Sequence, residues 1–217
     1  YSELVAPVDT LSNTAPLSSH SPLNAENDAK TTLKKALITG ELNVLALLQG
    51  RLLISQGNDL FSLPVAQLQQ QVTFAKLEYL RSSQQAASQP LLLPIAIKVE
   101  ASLLSKCLTY QPLLKQLQFD ISQPRRDTLV IQKVPAMLRE VDLAKIIGDW
   151  LLAIPETSHE VSVEDEQKGI MLLSQLMLTH APTIEWQDVQ PLIDDYTHLV
   201  ESSFASFVHT QGLNVNY

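Results

Sequence analysis

Two closely spaced turns divide residues 42–63 into three short apolar stretches. Leucine, valine and alanine occupy every second position from 42 to 48, Gly50-Arg51 forms the first turn, and Gly57-Asn58-Asp59 forms the second. Side chains of a strand alternate between its two faces, so a period of two indicates strands. Glycine and asparagine are favoured in tight turns. The pattern therefore predicts a three-stranded antiparallel meander.

A helix is predicted directly after the meander. Pro64 stands where the first helical turn is expected, a position that tolerates a residue without a backbone N–H. An apolar stripe at helical spacing follows, formed by Val65, Leu68, Val72, Ala75, Leu77 and Leu80. The polar residues 82–88 should form the loop in which this helix ends.

The next segment begins as a short linear pattern and continues as a strand. Gln89-Pro90-Leu91-Leu92-Leu93-Pro94 opens it, and Ile95, Ile97 and Val99 then alternate with Ala96 and Lys98. Because proline cannot donate a backbone N–H, Pro90 and Pro94 belong at a strand start, an edge or a bulge. An exposed edge of this kind can dock on a partner as an extended peptide. From the residues alone, an ordinary entry into a strand is the better interpretation.

The second half of the chain shows helical patterns on either side of a hairpin pattern. Pro112 should kink or split a helical face over residues 103–117. A hairpin is predicted around residues 123–127, followed by an amphipathic helix over 141–154. Helices are also predicted over 170–177 and from an N-cap at Thr183 to Val200, and the tail is a candidate strand at 207–208 or 213–215. This order of elements predicts an α+β fold.

Composition limits the class of protein. The chain has 217 residues, of which 45% are hydrophobic, and a formal net charge of -8, which argues against a dominant surface for DNA or membranes. A single cysteine, Cys107, excludes an internal disulfide, and no signal peptide or membrane-length apolar run is present, so we expect a cytoplasmic protein. The chain does not begin with Met, and we expect a piece of a longer protein. Residues 1–32, rich in polar residues and proline, should be a flexible linker.

The residues by themselves predict no catalytic site, metal site or cofactor. Cys107 stands apart from the five histidines and lies on an apolar helical face, where an inert buried thiol is expected. The chain has no Gly-rich phosphate loop and no Gly-x-Ser-x-Gly motif. The acidic residues Glu160, Glu164, Asp165 and Glu166 are explained by a solvated loop. Residues 125–126, two arginines, are explained by a solvated turn better than by a phosphate site.

Three stretches carry a family resemblance. They are Gly50-Arg51-Leu52-Leu53-Ile54-Ser55 through Leu63-Pro64-Val65-Ala66, the run Gln89-Pro90-Leu91-Leu92-Leu93-Pro94, and Val134-Pro135-Ala136-Met137-Leu138-Arg139. Their order and spacing resemble the C-terminal domain of the DNA mismatch-repair protein MutL, above all in bacteria that use methyl-directed repair. The resemblance runs from about residue 37 to the end of the chain.

The resemblance implies two subdomains. Residues 33–88 and 158–217 would form a discontinuous dimerisation subdomain, and residues 89–157 an inserted outer or regulatory subdomain that contains the helix–hairpin–helix unit. Residues 1–32 would be the end of the linker to an N-terminal ATPase. A monomer would leave a sheet edge or face uncovered, so we expect a homodimer with contacts from residues 42–63 and the last helices.

The family divides on catalysis, and the resemblance is to the branch without nuclease activity. Nuclease-type relatives carry Asp-Gln-His-Ala-x-x-Glu after the third strand. The corresponding residues here are Leu63-Pro64-Val65-Ala66-Gln67-Leu68-Gln69. Ala66 is kept, but neither Leu63 nor Gln69 can bind a divalent cation as a carboxylate does. The Cys-Pro-His zinc signature is missing too.

The predicted function is therefore homodimerisation and partner docking. The domain would hold two ATPase arms at high effective concentration. In the family, Gln-x-x-Leu-x-Pro docks on the sliding clamp, which makes Gln89, Leu92, Leu93 and Pro94 the candidate docking residues. The resemblance also implies a mismatch-recognition protein, a strand-nicking endonuclease and a helicase as partners of the full-length protein, with DNA contact weak or indirect. The alternatives are a metal-dependent DNA nicking endonuclease and an unrelated dimeric adaptor.

Overall fold

The computed structural model describes residues 37–39, 42–83, 88–138, 141–156 and 161–215, without the side chains of 37–39, 88 and 89. Of the chain's two units, Tyr1–Thr32 and Leu33–Tyr217, only the second contains described residues. The linker predicted for residues 1–32 therefore lies outside the described residues. Two antiparallel sheets and seven α-helices are found within the described ranges, which confirms the predicted α+β class.

The first sheet is built around the predicted meander. Its strands are β1 (Leu37–Thr39), β2 (Leu42–Leu48), β3 (Arg51–Gln56), β4 (Asp59–Pro64) and β8 (Leu213–Asn214), in the order β1-β2-β3-β4-β8. The prediction of three strands missed β1, and of the two candidate tail strands only the second is correct. Gln49 and Gly50 have φ angles of 48° and 72°. Positive φ at both central residues is the geometry that lets a two-residue turn join twisted antiparallel strands.

Helix α1 (Val65–Ser82) leaves the first sheet and reaches both hydrophobic cores of the structure. Pro64 is its N-cap, with φ of -63°, and not a residue of its first turn as predicted. The buried residues Val65, Leu68 and Val72 pack with the first sheet, whereas Leu77 packs with the second. The apolar stripe read from the sequence is therefore shared between two cores.

The second sheet contains β5 (Ser88–Lys98), β6 (Asp120–Arg125) and β7 (Thr128–Pro135) in the order β5-β7-β6. Helices α2 (Ala101–Thr109) and α3 (Gln111–Gln116) separate β5 from β6. Pro112 lies in the first turn of α3, so the predicted split of this helical segment is confirmed. A 3-10 turn, Ala136–Leu138, follows β7.

Four helices complete the described chain: α4 (Leu143–Ala153), α5 (Val163–Thr179), α6 (Trp186–Leu199) and α7 (Phe204–Gln211). Three local predictions are corrected here. Helix α6 is capped by Glu185 in a capping box with Asp188, and not by Thr183. Residues 207–208 lie in α7 and not in a strand. Residues 164–166 form the first turn of α5 and not a loop, where their negative charge suits the helix dipole; Glu160 lies outside the described residues.

Two hydrophobic clusters fill the interior. The first-sheet cluster joins β2, β3 and β4 to α1, α6 and α7. The second-sheet cluster joins β5 and β7 to α2, α3, α4 and α5, with Trp150 as its largest fully buried side chain. Arg81, near the end of α1, pairs with Glu78 at 2.9 Å and with Glu166 of α5 at 3.2 Å. None of the described helices is both long and apolar enough to cross a membrane.

Candidate functional site

The segment that carries the docking pattern is an edge strand with a wide bulge. Within the described residues, strand β5 lies at one edge of the second sheet and pairs only with β7. Pro90 pairs with Lys133 and Ile95 pairs with Ile131, so residues 91–94 face a single residue, Gln132, on the neighbouring strand. The prediction that Pro90 and Pro94 belong at an edge or a bulge is therefore confirmed. We call residues 91–94 the docking bulge.

The docking bulge presents two leucines to solvent. Leu92 is 93% exposed and Leu93 is 81% exposed, and Pro94 is exposed as well. Leu91 is half-buried and packs against the second-sheet cluster, which anchors the bulge. Adjacent exposed leucines form an apolar patch, the kind of surface that a partner can cover. The bulge thus brings together Leu92, Leu93 and Pro94. Gln89 lies in β5 with its backbone paired to Val134, and its side chain is outside the described residues.

A second apolar surface lies on the first sheet. Leu52, Ile54, Phe61 and Leu63 point into the first-sheet cluster. The residues between them therefore point to the opposite side, which we call the outer face. Its central row is Ala46, Leu53, Ser62 and Leu213, which pair across four adjacent strands. Leu213 is 64% exposed, and in the described part of the chain Leu53 joins neither hydrophobic cluster.

One arginine is held flat against this outer face. The guanidinium of Arg51 donates from Nε to the Ser62 hydroxyl oxygen at 2.7 Å and from Nη2 to the Ser62 carbonyl at 2.9 Å. These bonds fix the long side chain across β3 and β4. In the described residues, the middle rows of the outer face thus combine apolar and small polar side chains with the ordered Arg51. The sequence prediction named the region of residues 42–63 but could not separate its two faces, because a bulge at Leu45 shifts the alternation in β2.

The position that carries the metal motif in nuclease-type relatives is occupied here by the junction of β4 and α1. Leu63, Val65 and Leu68 are buried in the first-sheet cluster, and Gln69 is half-buried. These side chains contribute packing at a place where a metal would need carboxylates. Among the described residues, no group of three or more His, Cys, Asp and Glu side chains is arranged to hold a metal ion.

Cys107 is buried in the second-sheet cluster on α2. Burial disfavours the charged thiolate and raises the pKa of this thiol from 9.0 to about 11. A thiol this basic is almost wholly protonated at neutral pH and is a poor nucleophile. The burial expected from the sequence is confirmed.

The raised pKa of Cys107 should make the fold weaken in alkaline solution. The folded state holds the thiol proton more tightly than the unfolded state, so this contribution is complete below pH 9.0 and is lost as the pH approaches 11. We compare the free energy of unfolding in urea at neutral pH with that above the raised pKa of about 11. The loss between these two pH values should be larger in the parent than in Cys107→Ala, by on the order of 2 kcal/mol. Equal pH slopes for the two proteins would contradict this.

Comparison with known proteins identifies the family. Residues 45–182 match the MutL C terminal dimerisation domain. The chain is 36% identical over 120 residues to the DNA mismatch repair protein MutL of Shewanella denitrificans, a match that covers 46% of this chain and 18% of that protein. It is 28% identical over 160 residues to the DNA mismatch repair protein MutL of Mannheimia succiniciproducens, covering 72% of this chain and 24% of the relative.

A third relative, the DNA mismatch repair protein MutL of Aeromonas salmonicida, is 35% identical over 72 residues, which cover 33% of this chain and 12% of that protein. The matched region spans 12% to 24% of the length of these three curated relatives. The family match, in contrast, extends over more than half of the 217 residues. The chain therefore belongs to the family of MutL C-terminal dimerisation domains.

Proposed function

We propose that this chain is the homodimerisation and partner-docking domain of a bacterial, cytoplasmic MutL of the methyl-directed type without nuclease activity. The observation that carries the proposal is the family match over residues 45–182. Two surfaces support it, the outer face of the first sheet and the docking bulge of the second. The domain would join two copies of a longer protein, so that the ATPase arms attached to it meet at high effective concentration.

The outer face supports dimerisation because it has the character of an interface. Its rows combine Ala46, Leu53 and Leu213 with small polar residues and the ordered Arg51. A two-fold axis through such a face would bring identical patches together, which is the usual arrangement in homodimers. The second copy would cover apolar side chains that the folded chain leaves in contact with water.

The two hydrophobic clusters support the proposed division into subdomains. The first-sheet cluster draws its buried residues from 42–72 and 189–208, two separated segments. We place the dimerisation subdomain in residues 33–88 and 158–217, and the outer subdomain in 89–157. Helix α1 would join the two, since Val65, Leu68 and Val72 pack in the first-sheet cluster and Leu77 packs in the second. Helix α5, which this division places in the dimerisation subdomain, packs Ile170 and Leu173 in the second-sheet cluster.

The docking bulge supports binding to the replicative sliding clamp. Leu92 and Leu93 are available to fill an apolar cleft, and burying each completely is worth about 1.5–3 kcal/mol. Pairing at Pro90 and Ile95 fixes both ends of the segment before it binds. A segment ordered in advance loses less conformational entropy on docking than a free peptide. In this proposal Gln89 offers a donor and an acceptor at the rim of the cleft.

Replacing Gln89 and Leu92 together with alanine should weaken clamp binding about tenfold or more, because the largest apolar contact and the amide contact are both lost. Binding of the purified dimer to immobilised sliding clamp measures this. Leu152→Ala is a matched control, since Leu152 is 65% exposed on a different element, α4. The control should bind as the parent does. If the folded double variant also binds like the parent, the bulge is only part of a strand.

The domain should leave supercoiled DNA intact in magnesium or manganese. Leu63 and Val65 are buried apolar residues, and Gln69 provides an amide in place of a carboxylate. An agarose-gel nicking assay over a range of protein concentrations measures the activity. Nicking that persists through purification, and disappears when acidic residues of this chain are replaced, would establish a nuclease instead.

A further inference from the structure

The second sheet ends in three exposed cations, Lys98, Arg125 and Arg126, which we call the basic corner. Thr128 pairs with Lys98 on one side and with Arg125 on the other. Paired residues of an antiparallel sheet point to the same face, so these two cations lie on one face, with their Cα atoms about 10 Å apart across two strand spacings. Arg126 lies in the adjoining turn.

The basic corner is not neutralised by the rest of the described chain. None of its three cations forms an ion pair within the described ranges. Two carboxylates lie near it in sequence: Asp127 accepts a hydrogen bond from the Thr128 hydroxyl at 3.0 Å, and Glu100 is the N-cap residue of α2. Three cations and two carboxylates leave the corner positive on a chain whose formal net charge is -8.

The basic corner is continuous with the docking bulge along strand β5. Lys98 lies four positions after Pro94, which is about 13 Å of strand. A stable interface buries roughly 800 Å² on each partner, a patch about 30 Å across, whereas three exposed residues of a bulge supply only part of it. A partner that extends from the bulge along β5 would therefore also reach the corner. The sheet face between them carries the uncharged Ala96, Val130 and Ser122.

We propose that the basic corner is a second half of the docking surface and contacts an acidic rim beside the apolar cleft of the partner. This inference rests on the proposed docking function of Leu92 and Leu93. Charges at the rim of an interface mainly raise the association rate and fix the orientation of the partner, and salt screens their effect. DNA is the less favoured occupant, because two carboxylates lie at the corner and the chain as a whole is acidic.

The test measures binding of the full chain to immobilised sliding clamp at low and high salt. Lys98→Glu with Arg125→Glu should weaken binding about tenfold in low salt and much less in high salt. Lys98→Gln with Arg125→Gln removes the charges without reversing them and should give a smaller, equally salt-dependent loss of binding. This variant replaces the charge reversal if the reversal disturbs the fold. Lys115→Glu with Lys145→Glu, an equal charge change at exposed positions on α3 and α4, should have little effect.

The outcomes separate this inference from the docking function itself. Leu92→Ala with Leu93→Ala should abolish clamp binding at both salt concentrations. If that variant binds normally, or if the parent does not bind the clamp, docking is wrong and the inference fails with it. If the bulge variant loses binding while both corner variants bind like the parent, docking stands and the inference is overturned. The same variants are also titrated onto fluorescently labelled duplex DNA, and binding is followed by the rise in anisotropy. Corner variants that still bind the clamp but no longer bind the DNA would overturn the inference and assign the corner to nucleic acid.

Discussion

Replacing Leu53 with aspartate should convert the domain from a dimer into a monomer of 24.1 kDa. Leu53 lies in the central row of the outer face, between Ala46 and Ser62 on the neighbouring strands. If a second copy covers this face, the substitution buries an unpaired carboxylate, and two-fold symmetry places it in the interface twice. Burying each unpaired charge costs several kcal/mol, so the dissociation constant of the dimer should rise at least about a thousandfold.

Light scattering coupled to size-exclusion chromatography measures this change at micromolar concentration. Leu92→Asp is the matched control, because it introduces the same charge at a leucine that is 93% exposed on the other sheet. The control should keep the mass of the parent dimer. Circular dichroism should show the same helix content in all three proteins. A folded Leu53→Asp protein with the dimer mass would place the interface elsewhere, and a parent that is itself monomeric would contradict the proposed function.

The parts of the fold that could be predicted are those fixed by residues close together in sequence. The turn at Gly50, the separation of α2 from α3 near Pro112 and the edge position of β5 each depend on the backbone preference of glycine or proline. Strand β8 could only be offered as a candidate, because its pairing partners Phe61 and Ser62 lie about 150 residues earlier in the chain. Such a pairing depends on the whole fold, which a local pattern does not contain.

The prediction of a strand at residues 207–208 was wrong for a different reason: a helical pattern was present in the neighbouring sequence but was not recognised. Phe207 and Val208 favour strands as isolated residues. Together with Phe204, however, they form one buried face at helical spacing, and the Ser203 side chain caps the helix by accepting from the Ser206 N–H at 3.1 Å. A serine before an apolar stripe of period 3.6 was the signal that could have identified the helix.

The candidate docking residues could be identified only through the resemblance, and their exposure could not be predicted. Three consecutive leucines usually belong to a core. What exposes Leu92 and Leu93 is the mismatch between four residues of β5 and the single Gln132 of β7. That mismatch is set by the register of two strands separated by about 30 residues. Leu91 packs against the core as expected of a strand residue, whereas Leu92 and Leu93 are left exposed for the proposed docking.

Replacing Trp150 with alanine should destabilise the second-sheet cluster by about 3–5 kcal/mol. Trp150 is fully buried on α4, and its indole Nε1 donates to the Gly169 carbonyl of α5 at 2.7 Å. Its ring meets Tyr110 edge to face, with centroids 5.7 Å apart. One side chain therefore joins α4, α5 and the end of α2, and its removal opens a large cavity among them. The loss is a sizeable share of the roughly 5–15 kcal/mol that stabilises a typical domain.

Thermal melting followed by circular dichroism measures the effect, with Trp150→Phe as the comparison. Phenylalanine keeps most of the packing but loses the hydrogen bond, so its cost should be the smaller, about 1–2 kcal/mol. Below its melting temperature, Trp150→Ala should keep the parent dimer mass, because Trp150 belongs to the second-sheet cluster and the outer face to the first sheet. A Trp150→Ala protein that melts like the parent would contradict the packing role. A folded variant that dissociates would show that the two sheets do not act separately in dimerisation.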